Sequence, residues 1–138
     1  MVPLEGEGLI QPWRGSAADL VDATAGQSPL WWLRASRMRT RQGLMDEWAA
    51  AAQFPPHFGG TWDALRDALA DLPEGGTFLV LDAEQLLQDA PPAELATLAA
   101  VLRAAQEDLE PKTFRLVLQA DEEAYGTLVE GLRGLGLD

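Results

Sequence analysis

The chain has 138 residues, no cysteine, and 22 acidic against 10 basic side chains, for a formal net charge of -12. That length suits one domain able to bury about two thirds of its unfolded surface, and without thiols there is no disulfide frame and no thiolate metal site. So acidic a chain is repelled by nucleic acid and by anionic membranes, and it attracts cationic partners.

Residues 1–29 carry glycine at 6, 8, 15 and 26 and proline at 3, 12 and 29, and read as an irregular extension with one short helix from Ser16 to Ala23. The start lacks the basic residues and apolar run of a signal peptide, and no stretch approaches the roughly 20 apolar residues of a membrane span, so a cytoplasmic location is expected. Trp31 to Met38 reads as a strand leading into a helix, with Trp31 and Trp32 on opposite sides and at least one of them partly exposed. Arg34, Arg37, Arg39 and Arg41 cluster here without an acidic neighbour, which leaves the rest of the chain more acidic than the total suggests. Beside two tryptophans they could hold single-stranded nucleic acid, but more often such arginines guard an edge strand or neutralise nearby carboxylates.

Thr40 is placed to cap a helix bearing Leu44, Met45, Trp48 and Ala52 at helical spacing and stopped by Pro55. A second helix runs from Trp62 to Leu72 and ends at Pro73, Gly75 and Gly76. Phe78 to Leu81 is a continuous apolar run, as in a buried parallel strand, and Asp82 with Gln85 resembles a capping box for a short helix to Gln88. Pro91 and Pro92 open a long helix carrying Leu95, Leu98, Leu102 and Leu109 and closed by Pro111. Phe114 to Leu118 is a third strand, followed by an amphipathic helix over Asp121 to Arg133. Strands alternating with helices predict an α/β fold, a three-stranded parallel sheet with helices around it, in a domain spanning 30–138.

The stretch most informative about function is Phe54 to Leu69, which turns on Gly59 and Gly60 and opens a helix with Asp63 and Asp67. Thr61 is a natural N-cap, so Asp63 falls in the first turn and suits the positive end of the helix dipole. Asp67 gains much less, and at i+4 from Asp63 it is repelled by about 0.2 to 0.5 kcal/mol, a cost that Arg66 can soften. Read alone, the pair is the wet face of a helix whose buried stripe is Trp62, Leu65, Leu69 and Leu72.

Catalytic and metal chemistry finds little support. The only histidine is His57, and the serines, at 16, 28 and 36, are all distant from it in sequence, so a serine hydrolase lacks its base. His57, Asp63 and Asp67 make a poor zinc set and an incomplete calcium cage. Gly59, Gly60 and Thr61 ahead of a helix could cradle phosphate, but without a lysine and beside two aspartates. Asp82 ends a strand where α/β enzymes place a magnesium ligand or nucleophile; capping is the simpler role. No cofactor or metal is expected.

The run Phe54, Pro55, His57, Phe58, Gly59, Gly60, Thr61, Trp62, Asp63, Ala64, Leu65, Arg66, Asp67 resembles the barstar family, inhibitors of the secreted microbial ribonuclease barnase. Phe78 to Leu86, Val101 to Ala104 and Phe114 to Leu118 are similar to the family's later elements, so the likeness covers about 31–118 and leaves a further C-terminal helix at about 121–134. The resemblance implies the same three-stranded fold and a binding function. It makes Asp67 a phosphate mimic, pairs Asp63 with a second cation of the enzyme, lets the backbone approach at Gly59, and gives Phe58 and Trp62 apolar contacts. His57 and Phe58 stand where the family has two tyrosines. Arg66 replaces a tryptophan, Thr61 an asparagine and Gly60 a glutamate, and a contact glutamate of the family falls on Ala104, with Glu107 and Asp108 a turn away. The implied partner is a basic ribonuclease or nuclease toxin, bound without direct nucleic-acid or membrane contact by a chain that is monomeric when free. Alternatives are an immunity or protein-binding module for another basic protein and a small α/β enzyme using Asp82.

Overall fold

The computed structural model describes residues 9–134. Four strands, β1 (Ile10–Arg14), β2 (Leu30–Arg34), β3 (Gly76–Leu81) and β4 (Phe114–Ala120), form one sheet in the order β1-β4-β3-β2. Every pairing is parallel, with Ile10 opposite Leu116, Phe78 opposite Leu116, and Trp31 opposite Phe78.

The sheet therefore has four strands, where three were expected. The additional one, β1, lies in the segment read as irregular, and Pro12 explains the misreading. Proline breaks an interior strand because it lacks an N–H, yet β1 is at the edge of the sheet, where only one side must pair. The short helix that follows is where the sequence placed it: α1 (Ala17–Ala23), whose N-cap Ser16 accepts a hydrogen bond from the Asp19 amide at 3.1 Å.

Strand alternation splits the apolar residues between two faces. Leu33, Phe78, Val80, Leu116 and Leu118 point to the main core, shared with α2 (Arg41–Ala52), α3 (Trp62–Ala70), α4 (Ala93–Leu109) and α5 (Tyr125–Arg133). Leu79, Val117 and Trp13 face the other way, where Leu20 of α1 packs on them. The first crossover thus runs from one sheet edge to the other under the opposite face. Trp31 stacks on Phe78 at 4.6 Å in the main core, while Trp32 packs against the second cluster; both are half-buried.

Three local expectations need correction. The strand ends at Arg34 and passes through a 3-10 turn at Ala35–Arg37, so the alternation of Arg37, Met38 and Arg39 is not strand. Asp82 makes no side-chain cap: its φ is 54°, its amide donates to the Gln119 Oε1 at 2.9 Å, and only a 3-10 turn at Ala83–Gln85 follows. Gln85 instead accepts from Arg39 Nη1. The last helix begins at Tyr125, because Asp121 Oδ1 accepts from the Ala124 amide and holds the preceding residues as a turn.

Candidate binding surface

The helix carrying the two aspartates is fixed at both ends and along one side. Thr61 caps it, its hydroxyl accepting from the Ala64 amide at 3.1 Å, and Asp63 lies in the first turn. Leu65 and Leu69 are fully buried and Leu72 nearly so, which turns Asp63, Arg66 and Asp67 to solvent. The amphipathic stripe is therefore the one the spacing predicts.

Arg66 does not lie free among the carboxylates. Its Nε and Nη2 bind Asp108 of α4 in a two-point pair, at 2.8 and 3.3 Å. Hydrogen bonding and the charge of Asp108 hold the guanidinium pKa above its ordinary value, with smaller contributions from Asp67 and Asp63. The same bond holds the Asp108 carboxyl below the usual range. Arg66 and Asp108 are thus paired with each other, while both side chains remain exposed.

Trp62 is half-buried, its indole N–H donating to Glu94 Oε2 at 3.0 Å, so one polar end ties α3 to the start of α4 while the ring packs on the core. Sequence reasoning did not find Glu94, since only the fold brings it 32 positions back to Trp62. Ala104 is half-buried, and Glu107 is exposed on the same helix.

The turn before α3 is compact. The Phe58 amide donates to the Pro55 carbonyl at 2.9 Å, the Phe54 and Phe58 rings meet at 5.0 Å, and both pack on the core. Pro55, Pro56 and His57 are exposed. Gly60 has φ 67°, the left-handed region that side chains resist, whereas Gly59 is exposed with ordinary φ. Asp63, Asp67, Thr61, Gly59 and His57 are all exposed along this turn and the helix it opens, with Phe58 beside them.

Two of the arginines near β2, Arg37 and Arg39, neutralise carboxylates. Arg39 binds Asp89 through Nε and Nη2 at 2.8 and 3.1 Å, and Arg37 lies 3.9 Å from Glu47, which also accepts from the Arg34 amide. At the carboxyl end of the sheet, Gln119 bridges the Gly15 carbonyl and the Asp82 amide and fills the space beside Asp82. Among the described residues no group of three or more histidine or acidic side chains is placed to hold a metal, and no helix is long and apolar enough to cross a membrane.

Residues 30–119 match the family model described as Barstar (barnase inhibitor). No curated protein matches the chain.

Proposed function

Since the chain belongs to the barstar family, whose description is that of barnase inhibitors, we propose that it binds a basic ribonuclease and blocks its active site with α3. The observation that carries this reading is an exposed pair of aspartates on a helix whose other contacts are all made. A ribonuclease gathers arginine, lysine and histidine around its scissile phosphate, and a rigidly held carboxylate suits that pocket. Asp67 fills the phosphate position and Asp63 pairs with a second cation. Gly59 lets the enzyme approach the backbone, and Phe58, with the exposed part of Trp62, gives apolar contact. His57 and Thr61 flank these groups.

Rigidity here has a physical origin. Leu65 and Leu69 anchor α3 in the core, the Arg66–Asp108 and Trp62–Glu94 links tie it to α4, and Thr61 closes its amino end. Little backbone ordering then remains to oppose binding. The net charge of -12 adds long-range attraction to a basic enzyme. The inhibitor acts from the cytoplasm as a monomer, without a cofactor.

A second reading keeps the surface and changes the target. Arg66 puts a cation, paired with Asp108, where the family carries a tryptophan, which favours an immunity role toward a different nuclease toxin. The experiment for both is inhibition of RNA cleavage by barnase, with capture of nucleases from the source cells by the immobilised chain. Inhibition at stoichiometric ratio supports the first reading and capture of another basic nuclease the second; failure of both would refute the proposed surface.

A further inference from the structure

A groove of about 430 Å3 runs between α2 and the turn over 54–60. Half-buried Ala49, Phe54 and Phe58 give it some apolar surface among polar groups, buried Met45 lies beneath, and Gly59 and Gly60, which lead into α3, also line it. Asp46 is its one charged lining residue, exposed, with Oδ1 accepting from Gln42 Nε2 at 2.9 Å. A carboxylate has further lone pairs for a cation. Among the described residues no basic side chain lines the groove to meet it.

We propose that this groove is a second recognition site, which receives an arginine or lysine side chain from a loop of the same basic ribonuclease that α3 engages. The inference rests on the inhibitor reading and adds a contact on α2 to those of the Asp63–Asp67 helix face. Two observations select this occupant. The half-buried Phe54 and Phe58 rings offer an aliphatic stem a surface to lie on, and Asp46 supplies the opposite charge at an otherwise uncharged described lining, the arrangement that long cationic side chains use when they lay their methylenes on apolar groups. The groove is also continuous with the proposed interface, since Phe58 and Gly59 belong to both. An enzyme seated on α3 therefore brings its neighbouring loop over α2. Basic enzymes have the side chain to offer, and the steering charge of the whole chain favours its approach.

The test titrates barnase with the intact chain and with Asp46→Asn, Ala50→Arg and Asp67→Ala. Ala50 lines the groove and is exposed, so arginine there fits the fold while filling the groove with like charge. Asp46→Asn is expected to weaken binding about threefold and Ala50→Arg about tenfold or more, with unchanged melting temperatures. If Asp67→Ala abolishes binding while Asp46→Asn and Ala50→Arg bind as tightly as the intact chain, the groove proposal is overturned and the inhibitor reading stands. If Asp67→Ala also binds normally, the inhibitor reading itself fails. Self-association of the intact chain that Ala50→Arg removes, with barnase binding untouched, would assign the groove to a second copy and likewise overturn the proposal.

Discussion

Replacing Asp67 by alanine separates a binding role from a structural one. In the free protein the Asp67 side chain is exposed, and among the described residues the one hydrogen bond made here beyond the helix ladder is that of its carbonyl with the Asp71 amide, which alanine keeps. The substitution removes repulsion from Asp63, worth about 0.2 to 0.5 kcal/mol, and a weak attraction to Arg66, whose guanidinium is already held by Asp108. Alanine is also the better helix former by a few tenths of a kcal/mol. The free variant should therefore be as stable as the parent or slightly more so, within about 0.5 kcal/mol. Loss of a central carboxylate desolvated against several cations costs about 2 to 5 kcal/mol in binding, or roughly thirty-fold to several thousand-fold in affinity. Chemical unfolding of the free variant and titration against barnase give the two numbers. A variant that binds normally, or one that unfolds easily, would refute the assignment of Asp67 to the partner.

Three further outcomes follow from the same surface. Association with the enzyme should slow steeply as salt rises from about 10 mM to 0.5 M while dissociation changes little, and a rate insensitive to salt would exclude steering. Gly60→Val should cost about 1 to 3 kcal/mol because it forces a branched side chain to φ 67°, whereas Gly59→Val, at ordinary φ and 3.8 Å from the Ala64 Cβ, should leave the free fold intact and act on binding; equal unfolding midpoints for the two would contradict this. The Asp108 carboxyl, depressed in the folded state by Arg66, contributes stability that is present above the ordinary carboxylate range and lost as pH falls through the depressed value, so Asp108→Asn should flatten the fall of melting temperature as pH drops below about 4.

Periodicity made most of the main core legible. Leu44, Met45 and Trp48, Leu65 and Leu69, and Leu98 and Leu102 are all buried on the faces their spacing defines. Thr40 and Thr61 cap as read, since a hydroxyl before a helical run has one obvious donor to satisfy, and Ser16, read as the first residue of its helix, turns out to cap it. The failures share another cause. Pro12 and Asp82 carry strong local signals that only tertiary position overrides: an edge for the first, and for the second a left-handed turn whose amide is taken by Gln119, 37 residues away. The proposed site residues come from the resemblance alone, since a carboxylate pair on a solvated helix face has no local signature of function. The links that hold that helix, Arg66 to Asp108 and Trp62 to Glu94, span 42 and 32 positions and leave no periodic trace.

The additional β1–α1 unit offers a last, independent test, because it lies outside the family match, which begins at residue 30. Without α1, the sheet face bearing Leu79, Val117 and Trp13 would meet water, and Leu20, fully buried among them, is the side chain that closes it. Truncating a buried leucine to alanine costs about 2 to 5 kcal/mol through lost burial and the cavity left behind. Leu20→Ala should therefore lower the unfolding midpoint substantially. The aspartate helix sits on the opposite face, held by the main core and by α4, and none of its anchoring contacts involves α1. Binding to barnase, measured well below the melting temperature, should remain within about twofold of the parent, since sites with no shared partners act nearly independently. A variant that keeps its stability would show that α1 is not needed to cover the sheet. One that stays folded but loses affinity would show that the second face reaches the binding surface, contrary to the separation of the two cores.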